Sequence, residues 1–211
     1  MVKGMSTNDL KLTASADSWR LFMLRKGDPS FLNVQQSIWE RDHYSCQFCG
    51  FMAYQHLEII NWNGNYANNS RDNLLTACPF CAQCFFLESV GQGDFGGGTM
   101  IYLPEMSQAE LCALAHTMFS AMAMGLSYAG DMKNTYRNFK LRSQYVEKEL
   151  GEGVSNPALY GRLLVDARIE HYSRVAEAFA AKLRLLPTAS RFTVQIEAWA
   201  ADGMQQFNAA H

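Results

Sequence analysis

Two cysteine pairs, Cys46-Gln47-Phe48-Cys49 and Cys78-Pro79-Phe80-Cys81, decide the fold of this chain. Each pair places two thiols one tight turn apart, and four such sulfurs can close a tetrahedral zinc site. Proline suits the first position of a helix, so the second pair is expected at a helix N-terminus, whose partial positive charge favours the thiolate. The spacing therefore predicts a small treble-clef-like core around Zn²⁺ bound by Cys46, Cys49, Cys78 and Cys81.

A site with four thiolate ligands has no open position for water or substrate, so this zinc is expected to be structural. Three alternatives remain open. The cysteines could be buried without a metal, or Cys84 could replace one of the zinc ligands. The series Cys78, Cys81 and Cys84 also resembles part of an iron–sulfur motif, although the expected fourth cysteine followed by proline is missing.

Composition narrows the class of protein. The chain has 211 residues, 48% of them hydrophobic, which is enough to form a core. The net charge of −2 argues against nucleic acid as the main partner, because phosphate neutralisation supplies most of the affinity of a nucleic-acid binder. Residues 1–18 lack the apolar region of a signal peptide, and no run of about 18 apolar residues predicts a membrane span. These features favour a cytoplasmic location, where paired cysteines are metal ligands more often than disulfides.

Hydrophobic patterning predicts an α+β protein. Before the first cysteine pair it indicates one or two short strands within Leu10–Leu24, and then a helix, Val34–Asp42, capped by Asn33. Alternation over 57–62 predicts a strand. A further strand is expected at Thr99–Leu103, ended by Pro104. Together with the cysteines, these elements predict a zinc-centred α/β unit over residues 1–104.

The second half of the sequence, residues 105–211, predicts a helical bundle packed on that unit. Ser107 and Glu110 form a capping box that opens its first helix. Three further helices are expected from the spacing of apolar residues: Met132–Leu150, Pro157–Leu186 with an interruption near Arg168–Ser173, and Ser190–Phe207. Cys112 and His116, four residues apart on the first helix, are expected to pack in the core.

The segment from Ile38 to Cys84 resembles the zinc-containing HNH endonuclease module. Such enzymes use a histidine on the strand as general base and a second histidine after the last cysteine pair to hold a catalytic ion. The corresponding residues here are Asn61 and Ala82, which can do neither. His43 and His56 are the available substitutes. A divergent metal-dependent nuclease or a nucleic-acid-binding module is therefore the alternative function.

Several longer strings of sequence together resemble one family, the IcmJ (DotN) family of Dot/Icm type IVB secretion systems. They include Tyr44-Ser45-Cys46-Gln47-Phe48-Cys49-Gly50-Phe51, Cys81-Ala82-Gln83-Cys84-Phe85-Phe86 and Arg184-Leu185-Leu186-Pro187. The resemblance implies that the chain is an assembly subunit of the coupling complex and that it is not an enzyme. It implies binding to the C-terminal region of the coupling ATPase, DotL, and contact with other coupling-complex subunits. It also implies a place at the cytosolic face of the inner membrane, held there only through that partner, and a zinc site on the same four cysteines.

Overall fold

A computed structural model describes residues 10–166 and 178–209 of the chain. In that part of the chain, two small antiparallel sheets are surrounded by helices, which confirms the α+β class. Strand β1 (Glu58–Asn61) pairs with β2 (Leu74–Ala77), so that Glu58 lies opposite Ala77. Strand β3 (Gly98–Tyr102) pairs with β4 (Leu183–Pro187), so that Gly98 lies opposite Pro187.

The segment before the cysteines is helical, and the prediction of strands there was wrong. Helix α1 spans Ser18–Lys26 and α2 spans Pro29–Arg41. Phe22 of α1 packs against the ring of Phe86 at a centroid distance of 4.8 Å, and this packing anchors the helix on the core. Because amphipathic periodicity is weak over so short a segment, this tertiary contact determines its structure.

Helix α2 begins five residues earlier than predicted because Asp28, not Asn33, is its N-cap. The Asp28 carboxylate accepts a hydrogen bond from the Ser30 amide at 2.8 Å, and Pro29 occupies the first turn, where a proline costs no hydrogen bond. The sequence Gly27-Asp28-Pro29, typical of a turn, is thus the start of the helix.

The predicted strand at 57–62 is confirmed as β1, and β2 leads directly into the second cysteine pair. Helix α3 (Pro79–Ala82) begins at the predicted proline, with Cys78 as its extended N-cap. It is only one turn long, and 3₁₀ turns at Gln83–Phe85 and Leu87–Ser89 follow it. The strand predicted at Thr99–Leu103 is confirmed as β3.

Helix α4 (Gln108–Ala123) has both arms of the predicted capping box. The Glu110 amide donates to the Ser107 hydroxyl at 3.2 Å, and the Ser107 amide donates to the Glu110 carboxylate at 2.7 Å. The next predicted helix divides into α5 (Ala129–Leu141) and α6 (Ser143–Leu150) at Arg142. Since α6 packs on β3, the bend allows the fully buried Val146 to reach the core.

Helix α7 (Pro157–Asp166) starts at the predicted residue, but the prediction that helix continues to Leu186 was wrong. Residues 183–187 form β4, whose side chains are almost all buried. The Gln108 side chain accepts from the Leu185 amide at 2.7 Å and donates to the Leu185 carbonyl at 2.9 Å, so it pairs with the free edge of the strand. The predicted interruption at 168–173 lies outside the described residues.

The final helix, α8 (Thr193–Ala209), confirms the predicted terminal helix and follows a 3₁₀ turn at Ala189–Arg191. Phe192, Ile196 and Trp199 are buried in the core. The division at residue 104 stays a prediction, and the pairing of β3 with β4 joins its two parts. No helix within residues 10–166 and 178–209 combines the length and apolar character that crossing a bilayer requires.

Candidate metal centre

The four predicted cysteines converge on one point. Cys46 and Cys49 come from the loop between α2 and β1, and Cys78 and Cys81 from the start of α3. Their four sulfur atoms all lie within 4.8 Å of one another, and the Sγ atoms of Cys49 and Cys78 are 3.6 Å apart. Sulfurs bound tetrahedrally to zinc would be roughly 3.8 Å apart. The arrangement therefore fits a single metal ion.

The first cysteine pair is held in a tight knuckle by backbone hydrogen bonds. The Cys46 amide donates to the Phe51 carbonyl at 2.8 Å, and the Gly50 amide donates to the Cys46 carbonyl at 2.9 Å. Gly50 has a φ of 75°, which a residue without a Cβ adopts at little cost. The Gln47 amide donates to the Thr76 carbonyl at 2.9 Å and so fixes the knuckle against β2.

Asp42 ties α2 to the strand that precedes the second pair. Its carboxylate is buried and accepts from the Thr76 amide at 2.9 Å. The Arg41 guanidinium donates to both carboxylate oxygens, at 2.8 and 2.9 Å. Neither contact was predicted from the sequence, although two adjacent opposite charges just before a cysteine knuckle are the available signal.

Burial makes this cluster costly unless a cation is present. It raises the pKa of the Cys78 and Cys81 thiols well above their ordinary value. Burial also acts to raise the pKa of Cys46, but hydrogen bonds from the thiols of the other three cysteines outweigh it and hold that pKa well below its ordinary value. Four thiolates cannot share this buried space without a positive ion, and an all-sulfur set selects a thiophilic metal.

The other two cysteines lie beside the cluster and outside it. The Cys84 thiol donates to the Phe80 carbonyl at 3.4 Å, and the Cys112 sulfur accepts from Nε2 of the Gln108 side chain at 3.4 Å. Cys84 is therefore no member of the four-sulfur set, in keeping with the preferred ligand assignment. Cys112 is in the core, as predicted.

His116 packs in the core as predicted, in a stack of aromatic rings. Its imidazole lies parallel to the rings of Phe51 and Phe80, at centroid distances of 3.6 and 4.2 Å. Burial lowers the pKa of His116 to about 3, so the ring is neutral at physiological pH. Neither ring nitrogen has a hydrogen-bond partner among the described residues.

Asn61, at the strand position that carries the general base in HNH enzymes, is buried and fully hydrogen-bonded. Asn61 is fully buried, donates to the Asn65 carbonyl at 3.0 Å and to the Asn68 carbonyl at 2.6 Å, and accepts from the guanidinium of Arg25. Arg25 also donates to the Ile59 carbonyl at 2.6 Å. These contacts leave Asn61 no free polar atom for activating water.

Arg25 itself is a buried cation that sequence reasoning missed. It lies over the rings of Phe31 and Tyr66, at 4.4 and 5.2 Å from their centroids. Burial lowers its pKa to about 10, because the surrounding side chains replace water around the charge. Its spacing of three residues from Phe22, which places both on one face of a helix, is the only signal for it, and the incorrect strand prediction concealed it.

The remaining histidines near the knuckle do not rebuild a nuclease site. His43 is exposed and His56 is half-buried, and both have the unusual positive φ of tight turns, 54° and 60°. Ala82 is buried beside the cluster. Within residues 10–166 and 178–209, the four-cysteine cluster is the one group of three or more candidate metal ligands that lie close together.

Comparison with known proteins gives the family. No family model matches the chain. Over 198 residues, the chain is 49% identical to "Type 4 apparatus protein DotN" of Legionella pneumophila subsp. pneumophila (strain Philadelphia 1), a match that covers 94% of this chain and 92% of that protein. The relative is thus, by its name, a component of a type 4 apparatus. This chain belongs to the DotN (IcmJ) family, which confirms the resemblance seen in its sequence.

Proposed function

We propose that this chain is a non-catalytic, zinc-stabilised assembly subunit of the coupling complex of a Dot/Icm type IVB secretion system. It binds the C-terminal region of the coupling ATPase and supports effector export from the cytosolic face of the inner membrane, without contacting the membrane itself. The single observation that carries this proposal is the 49% identity to a type 4 apparatus protein over nearly the full length of both chains.

Zinc is the metal that best suits the four cysteines. The sulfur spacing matches a tetrahedral thiolate site, and four thiolates leave the ion no free position for chemistry. The order of elements, a cysteine knuckle, the β1–β2 hairpin and then a helix that starts at the second pair, is that of a treble clef. This order supports an HNH-like core in which the ion stabilises the fold.

The structure around Asn61 and Ala82, the positions of the two HNH histidines, favours an assembly role over the nuclease alternative. A general base needs a titratable atom that can reach water. Asn61 has none, and its amide is hydrogen-bonded to Arg25 and to loop carbonyls. Ala82 cannot bind the second ion that such enzymes hold beside the phosphate.

Three measurements test the proposal. The purified chain is mixed with the detergent-solubilised coupling ATPase of the same organism, and their complex is assayed by size-exclusion chromatography. The same preparation is incubated with plasmid DNA and Mg²⁺ or Mn²⁺. We expect a stoichiometric complex, no cleavage, and one zinc ion per chain by inductively coupled plasma mass spectrometry. Cleavage that disappears in His43→Ala or His56→Ala would establish the nuclease instead, and a missing complex would refute the assembly role.

A further inference from the structure

A continuous groove runs along the cysteine knuckle and one face of α4. It consists of three cavities of about 420, 260 and 240 Å³. The first two share Cys49, Gly50 and Ala113, and the last two share Phe51 and Ser120, so they follow one another without a break. One wall is the loop of residues 45–54, and the far end lies against α8.

The opposite wall is one face of α4, on which Thr117 is exposed and Ala109 and His116 are buried. Its contributors are spaced three or four residues apart, as on one side of a helix: Ala109, Ala113, His116, Thr117, Ser120 and Met124. Most of these side chains are small, which leaves room for another chain to approach closely. From Ala109 to Met124 the helix rises about 22 Å. An extended segment of about seven residues spans that distance.

His116 gives this groove a polar group that the fold does not use. The side chain lines the middle cavity, it is 5% exposed, and neither of its ring nitrogens is hydrogen-bonded within the described residues. A neutral imidazole offers one donor and one acceptor. A peptide backbone lying in the groove supplies a carbonyl or an amide that can pair with one of these nitrogens.

The chemistry of the groove specifies the rest of its occupant. Met52 and Tyr54, at the α8 end, are 54% and 60% exposed, which suits apolar side chains of a partner. Glu110 lines one end and Asp202 the other, and no lysine or arginine lines any of the three cavities. Four thiolates around a divalent ion would add a net negative charge behind the knuckle wall.

We infer that this groove binds an extended peptide segment of a partner protein, about seven residues long, apolar at its centre and flanked by lysine or arginine. The knuckle forms one wall, so the metal that holds the knuckle also holds the binding surface. The inference rests on the proposed function only in the identity of the protein that carries this segment.

A selection experiment tests the groove without assuming that partner. A phage-displayed library of random 12-residue peptides is selected on the immobilised metal-loaded chain, and the enriched peptides are synthesised and their affinities measured. We expect a consensus with an apolar centre and basic flanks. Thr117→Arg, which places a long cation in the middle cavity, is expected to weaken binding at least tenfold. Asn138→Arg, an equally exposed helical position on α5, should not change it.

Three results of this selection would overturn the inference: no enriched peptides, an acidic consensus, or equal binding to the Thr117→Arg variant. Thr117→Glu should weaken binding less than Thr117→Arg does, and equal losses would refute the charge complementarity. Sedimentation equilibrium should show a monomer. A dimer that Thr117→Arg separates would mean that a second copy of the chain occupies the groove.

His116→Phe separates a binding role from a merely structural one. Phenylalanine keeps the stack with Phe51 and Phe80 and removes two buried nitrogens without partners. The variant is therefore expected to unfold at a higher denaturant concentration and to bind the selected peptide about fivefold more weakly. Unchanged or tighter binding would overturn the assigned role of His116.

The intact coupling ATPase then distinguishes the two proposals. If it binds the wild type and the Thr117→Arg variant equally, the proposed function stands and the groove is not its docking surface. If it does not bind the wild type although basic–apolar peptides do, the groove stands and the proposed function fails. We expect binding to the wild type and the Asn138→Arg variant, and at least tenfold weaker binding to Thr117→Arg.

Discussion

Replacing Cys78 by serine is the most direct test of the metal centre, because the chain provides a matched control. Cys78 and Cys84 are both fully buried and lie on the same short segment around α3. Only Cys78 belongs to the four sulfurs that lie within 4.8 Å of one another. The Cys78→Ser and Cys84→Ser substitutions therefore make the same chemical change at similar burial, inside and outside the proposed site.

The structure sets the size of the expected difference. A structural zinc site contributes about 10–16 kcal/mol to folding, so removing one of four ligands should cost at least about 3 kcal/mol. That is a large part of a typical net stability of about 5–15 kcal/mol. At Cys84 the change affects a weak hydrogen bond from the thiol to the Phe80 carbonyl and the contact with the Cys112 thiol, both of which a serine hydroxyl can still make. A loss of about 1 kcal/mol or less is expected there.

Guanidinium denaturation of the metal-loaded proteins, monitored by circular dichroism, measures the stability lost in each variant. Mass spectrometry gives the metal content. We expect Cys84→Ser to keep the metal and to unfold near the wild-type midpoint. Cys78→Ser should lose the metal and unfold at a much lower denaturant concentration, or fail to fold. The reasoning is refuted if Cys78→Ser retains one metal per chain and the wild-type midpoint, or if the two variants lose equal stability.

Three further predictions concern the scaffold. Arg25→Ala should lower the free energy of unfolding by about 3 kcal/mol, since it leaves the buried oxygens of Asn61 and Ile59 without their charged hydrogen-bond donor. An unchanged urea midpoint would contradict this. Gly161→Ala should cost about 2 kcal/mol, because its Cβ would lie 2.2 Å from the Glu88 amide nitrogen. Gly130→Ala, which meets open space, should instead stabilise α5 slightly, and equal thermal midpoints for the two alanine variants would refute the packing argument. Burial raises the pKa of Glu88, so its contribution to stability is present below the unfolded-state pKa and is lost as pH rises through the raised folded-state pKa. Glu88→Gln should therefore be more stable than the wild type at pH 7, an advantage that disappears in acid; a constant difference across pH would exclude this linkage.

The candidate ligands could be predicted because their signal is local. A pair of cysteines two residues apart forms half of a tetrahedral site whatever surrounds it, and the proline after Cys78 marks the start of a helix. The capping box before α4 is local in the same way. The groove and the neutral His116 could not be predicted, since both arise where α4 passes the knuckle, and no spacing in the chain records that contact.

The sequence by itself determined the short-range features of this protein: which residues start helices, which cysteines can share an ion, and to which family the chain belongs. Tertiary structure alone decided that residues 183–187 form a strand and that the buried Arg25 is hydrogen-bonded to Asn61. The physical reason is distance along the chain. Leu185 is in a strand because β4 pairs with β3 and the Gln108 side chain bonds both backbone groups of Leu185. Arg25 is buried because the Ile59 carbonyl, the Asn61 side chain and the ring of Tyr66, all far away in sequence, surround it. Such partners are brought together only by folding.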